Sequence, residues 1–91
     1  MISETRLQAQ LDHMAAITTH AHGAKGINRV AFTTTDWEGR RYLMGLMQEA
    51  GLEIRTDAFG NVIGHRRGTR EDLPAVMCGS HSDSVPEGGN Y

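Results

Sequence analysis

Leu73-Pro74-Ala75-Val76-Met77-Cys78-Gly79 is a short apolar run that stops at a glycine. A run of this length, bounded by polar residues, has the pattern of a strand buried on both faces of a sheet. It therefore sets the α/β reading of the chain. A charged loop, Arg66 to Asp72, precedes it, and the polar, Gly-rich stretch Ser80 to Tyr91 follows. In open α/β sheets the end of a strand is where sites are built.

Upstream, Leu52-Glu53-Ile54-Arg55-Thr56 alternates apolar with polar residues, and Val62-Ile63-Gly64-His65 reads as a second strand. Between them Asp57-Ala58-Phe59-Gly60-Asn61 carries turn chemistry, so the pair is expected to form a hairpin. Further back, Thr35-Asp36-Trp37-Glu38 has the Thr-x-x-Glu form of a capping box. It predicts a helix over 36–50, with Trp37, Arg40, Leu43, Met44, Met47 and Ala50 near one another and Gly51 closing its end. In the first segment Leu7, Leu11, Met14 and Ile17 recur at spacings of 4, 3 and 3, which predicts a helix capped by Ser3 or Thr5 and unable to continue past Gly23. Ala21 to Gly26 is a loop of small residues, and Ile27 to Phe32 is irregular or extended. The expected fold class is α/β, two helices followed by three strands, with the sheet incomplete.

The 91 residues fit one small domain at most. A formal charge of −2 offers no basic surface for nucleic acid or anionic lipid, so no nucleic-acid partner is expected. With 38% hydrophobic residues, eleven Gly and a mean hydropathy of −0.43, the composition is globular but lean. No stretch approaches the roughly 20 apolar residues of a membrane span. Met1-Ile2-Ser3-Glu4-Thr5 lacks a basic and an apolar leader region, which points to the cytoplasm. Cys78, the single cysteine, excludes an intramolecular disulfide and a cysteine metal cage, and is expected to be a buried, inert thiol.

His81-Ser82-Asp83 carries the chemistry. Residues two apart on an extended backbone share a side, so an imidazole can bind a borderline metal while a carboxylate supports the site. The bland readings are a polar strand-end His81 and an Asp83 that forms an Asx turn. His20 and His22 lie in a loop without a neighbouring carboxylate and read as solvated, and His13 and His65 read as structural or exposed. Gly88-Gly89 lacks a phosphate-loop pattern. Arg40-Arg41 and Arg66-Arg67 read as solvated faces, and Leu43, Met44 and Met47 as core.

The stretch Gly79-Ser80-His81-Ser82-Asp83-Ser84-Val85-Pro86-Glu87-Gly88-Gly89-Asn90-Tyr91 resembles the first metal-ligand segment of the hydantoinase/carbamoylase family. That family comprises N-carbamoyl-L-amino acid hydrolases and allantoate amidohydrolases, within the dinuclear metallopeptidase superfamily. Arg29-Val30-Ala31-Phe32-Thr33, Glu49-Ala50-Gly51-Leu52 and Asp57 to Gly64 follow its order as well, so the likeness covers nearly the whole chain.

The resemblance implies a metal-dependent amidohydrolase cleaving the carbamoyl or ureido C–N bond of a small ureido acid. It implies two divalent ions, zinc or manganese, with His81 as a metal ligand and Asp83 as its support. The family's bridging carboxylate would follow Tyr91, and its later ligands, general base and dimerisation domain would lie downstream. Residues 1–91 are thus expected to be the N-terminal part of a zinc-peptidase-like α/β catalytic domain, inactive alone and holding no metal tightly. The parent is expected to be a homodimer, and the isolated chain to self-associate through an open sheet edge at Ala75 to Cys78. A non-catalytic interaction module, or an aminoacylase or peptidase of the same superfamily, are the alternatives.

Overall fold

Ser3 is extended at φ −99° and ψ 114°, and its hydroxyl accepts the Arg6 amide at 3.3 Å. That cap starts helix α1, Glu4–Ala16. The helix ends at Ile17, whose amide turns back to the Met14 carbonyl. Leu7 and Leu11 stay exposed on its predicted apolar face.

Helix α2 spans Thr34–Glu49, two residues earlier at its start than the 36–50 read from the sequence. Thr33, not Thr35, is the cap: its Oγ1 accepts the Asp36 amide at 3.3 Å. Asp36 reaches back, its Oδ2 accepting the Phe32 amide at 2.9 Å. The reciprocal logic of a capping box is kept, but a buried Asp two residues upstream of Glu38 supplies the carboxylate. Phe32 sits at φ 66°, the left-handed turn that aims its amide at Asp36. Thr33→Ala is expected to lower stability by about 1 kcal/mol, read as a shifted urea midpoint in the fluorescence of Trp37, the single tryptophan.

The computed structural model describes residues 1–20 and 23–91, which form two units, residues 1–39 with 82–91 and residues 40–81. The division falls inside α2. In the first unit Ile27 is the one buried apolar side chain among the described residues, and Asn28, Arg29 and the fully buried Asp36 share the interior with it. Gly39 of α2 is also buried. A β-carbon there would lie 2.8 Å from Cδ of Arg29 and 2.9 Å from Cε of Met14, so the missing side chain admits the arginine stem.

In the second unit strands β1, Glu53–Thr56, and β2, Val62–His65, pair antiparallel with Glu53 opposite His65 and Thr56 opposite Val62. The expected hairpin is present. Asp57 organises its turn: Oδ1 accepts the amides of Phe59, Gly60 and Asn61 at 2.9–3.0 Å, and Oδ2 accepts the Asn61 side-chain amide at 2.8 Å. Arg40 donates to the Gly60 carbonyl, so it serves this turn and is not the solvated face expected of it. Arg67, exposed, pairs with Glu53 and Glu71.

The Asn61 side chain, followed by the turn amides, holds the Asp57 carboxyl below its usual range. The turn's stabilisation is then complete above the ordinary carboxylate value of about 4 and is lost as pH falls through the depressed one. Acidification is expected to release the Gly60 and Asn61 amides to exchange, and Asn61→Ala to move that release to higher pH, both measurable by NMR.

Residues 73–79 do not form the expected third strand. They have no regular structure and are exposed, with Val76 and Met77 among the most open side chains. Apolar character alone does not make a strand, because the backbone must find partners in a sheet, and among the described residues the sheet consists of β1 and β2. Cys78 is correspondingly exposed, not buried as its apolar neighbours suggested. Leu43, Met44 and Met47 are half-buried. No helix among the described residues is long and apolar enough to cross a membrane.

Candidate functional site

The segment that bears Asp83 is fixed by the short stretch 25–29. Ile27 and Gly88 exchange both backbone hydrogen bonds at 2.9 Å, an isolated antiparallel bridge. Ser84 extends the pairing: its amide donates to the Arg29 carbonyl at 2.8 Å, and its hydroxyl accepts the Arg29 amide at 3.0 Å while donating to the Ile27 carbonyl at 3.1 Å. Glu87 completes it, donating its amide to Asn28 Oδ1 at 2.8 Å and accepting the Lys25 amide at 3.1 Å. Asn28 also donates its side-chain amide to the Lys25 carbonyl and its backbone amide to the Thr18 hydroxyl oxygen. Side chains replace much of a regular ladder here, since a bridge alone leaves most peptide groups unpaired.

Arg29 lies at the centre, 7% exposed. Its Nε donates to the Ser82 carbonyl at 2.7 Å, and one Nη donates to the carbonyls of Met14 and Ile17 at 2.8 and 2.7 Å. Both carbonyls lie at the end of α1, where the regular i to i+4 donors run out; Met14 also accepts the amide of Ile17, the residue that closes the helix. Burial pushes the guanidinium below its usual pKa, and the charges of Asp36 and Asp83 oppose that.

Of the two residues singled out in the sequence, Asp83 is half-buried in the first unit, in the field of Arg29. His81 is exposed and is the last residue of the second unit. Among the described residues no three His, Cys, Asp or Glu side chains gather to hold an ion, so the donors described do not complete a metal centre by themselves. His20 places Nδ1 3.3 Å from the Ala24 carbonyl, and the reading of His22 falls outside the described residues. His13 is exposed, and His65 lies with Nδ1 3.9 Å from a Glu53 oxygen across the hairpin.

Arg29, Asp36, Asn28 and Ser84 are the residues that sequence reasoning missed. One signal was there to be read: a lone arginine inside Ile27-Asn28-Arg29-Val30-Ala31-Phe32, where a long cation amid apolar neighbours implies paired burial.

No protein-family model matches the chain. It is similar to a ureidoglycolate hydrolase of Oryza sativa subsp. japonica, 39% identical over 85 residues, covering 93% of this chain and 17% of the relative. It is also similar to an N-carbamoyl-L-amino-acid amidohydrolase of Pseudomonas sp. (strain NS671), 39% identical over 90 residues, covering 99% and 21%. Among solved structures, a hydantoinase/carbamoylase family amidase from Burkholderia ambifaria superposes with a TM-score of 0.88 at 34% identity, covering 99% of this chain and 22% of that one. The chain therefore spans about a fifth of the length of the proteins it matches.

Proposed function

Over the stretch it shares with these proteins the chain belongs to the hydantoinase/carbamoylase family of amidohydrolases, and from that premise we propose that it forms the N-terminal part of a metal-dependent amidohydrolase domain. The reaction is hydrolysis of a carbamoyl or ureido C–N bond, and the substrate a small ureido acid such as ureidoglycolate, allantoate or an N-carbamoyl-L-amino acid. The observation that supports it best is identity of 36–40% to relatives bearing those activities in their names, sustained across 77–100% of the chain.

In this reading His81 contributes one imidazole to a centre of two divalent ions, zinc or manganese. A neutral imidazole on an exposed segment is a suitable donor for a borderline cation. Asp83 supports that centre without itself binding an ion. The remaining ligands, the general base and a homodimer interface belong to the four-fifths of the family fold outside these residues, and the enzyme works in the cytoplasm. This chain by itself carries out no hydrolysis, because a catalytic zinc normally keeps three protein ligands.

The test is ammonia release from ureidoglycolate, allantoate and an N-carbamoyl-L-amino acid with manganese or zinc present. The 91-residue chain alone is expected to release none. Joined to the remaining four-fifths of a family relative it is expected to be active, and His81→Ala should abolish that activity. Hydrolysis by the chain alone, or a fully active His81→Ala chimera, overturns the reading. A chimera active only on N-acyl amino acids would assign an aminoacylase instead.

A further inference from the structure

We propose that Arg29 is the positioning residue of the site segment, a single buried cation that ties the peptide between His81 and Asp83 to the end of α1. The proposal rests on the functional reading of that segment and adds to it a residue outside the segment. The guanidinium works in two directions at once. Its Nε holds the Ser82 carbonyl at 2.7 Å, while one Nη holds the Met14 and Ile17 carbonyls at 2.8 and 2.7 Å. Its own backbone clasps Ser84 through the amide and the carbonyl. Residues on both sides of Asp83 are thereby fixed by one residue more than fifty positions away in sequence, with separations of 53 and 55.

The geometry requires arginine. A planar guanidinium presents donors along separate directions from fixed atoms, whereas lysine offers three donors on one nitrogen and cannot reach Ser82 and both helix-end carbonyls together. The site around it is built for a cation: carbonyl oxygens at the negative end of α1, and the charges of Asp36 and Asp83. The stem is seated where Gly39 has no side chain. Arg29 touches no reacting atom in this scheme. It acts through Ser82 and Ser84, by limiting the directions in which Asp83 can lead.

The experiment is NMR on the unaltered 91-residue chain and on Arg29→Lys. In the unaltered chain the Arg29 Nε proton is expected in slow exchange, with scalar coupling across the hydrogen bond to the Ser82 carbonyl carbon. This needs no variant to fold. In Arg29→Lys the Ser84 amide is expected to exchange about tenfold faster or more, while amides of the β1–β2 hairpin stay within about twofold. Missing coupling at Arg29 Nε, or Ser84 exchange in Arg29→Lys within about twofold of the unaltered chain, overturns the proposal. Uniform acceleration across residues 27–36 and 82–91 overturns it too, because it would mark Arg29 as a general stabiliser of its unit. The hydrolysis assay on the chimera involves none of these signals, so failure of the functional reading is told apart from failure of Arg29.

Discussion

Asp36→Ala is expected to cost about 3 kcal/mol and to abolish the cooperative urea transition reported by Trp37. The Asp36 side chain is fully buried, and its removal acts on two groups. The Phe32 amide loses its acceptor at 2.9 Å, at a residue already held in a left-handed turn at φ 66°. The buried Arg29 cation loses one of the two carboxylates that offset its burial. Removing a carboxylate whose charge offsets the burial of a cation is costly because the cation stays behind. Nothing nearby makes up the difference, since Ile27 is the one buried apolar side chain among the described residues. Asp36→Asn keeps an acceptor for Phe32 but drops the charge, and about half the loss is expected of it. An Asp36→Ala chain that unfolds within about 1 kcal/mol of the parent would show that the buried carboxylate is dispensable.

Gly26→Ala is expected to break the bridge between residues 27 and 88, at a cost of about 2–3 kcal/mol. Gly26 sits at φ 66°, and an added β-carbon would lie 2.6 Å from the Gly88 carbonyl oxygen and 3.1 Å from the Glu87 carbonyl carbon. These are backbone atoms, which cannot swing aside as the end of a side chain can. Relief must come from separating the two segments. Gly23→Ala is the internal reference: φ is 74° there too, but its β-carbon would meet nothing within 4 Å. It is expected to lose only the left-handed penalty, about 1–2 kcal/mol. Amide exchange at Ile27 and Gly88 reads the difference, which should be fast in Gly26→Ala and near the parent value in Gly23→Ala. Equal exchange in the two variants would mean that the close approach is not what holds the segments together.

Patterns that depend on near neighbours place the local elements. The period of Leu7, Leu11, Met14 and Ile17 and the hydroxyl of Ser3 place α1, and the alternation around Asp57 to Asn61 places the hairpin, because both depend on neighbours a few residues apart. The cap of α2 lies two residues before the one expected, for a local reason as well: Thr33 and Thr35 are both eligible, and only the burial of Asp36 decides between them. The run Leu73 to Gly79 failed differently. Its apolar content says what it would do inside a sheet, but not whether strands exist beside it.

The site was legible as chemistry and illegible as architecture. His81 and Asp83 stood out by residue type and by the segment they share with a known family. Arg29, Asn28 and Ser84 did not, since their roles arise from hydrogen bonds that join positions 53 to 59 residues apart, and no periodicity spans such distances.

Those long separations also set an order of events during synthesis. Ser84 meets Ile27 across 57 positions, and Glu87 meets Lys25 across 62. At roughly 5–20 residues per second, the ribosome needs about 3–12 s after finishing the earlier segment before the later one emerges. During that wait the Arg29 cation has no Ser82 carbonyl to hold, and α1 has its end carbonyls but not the clasp around them. The hairpin, closed by neighbours, can form while the first unit is still waiting for its last ten residues.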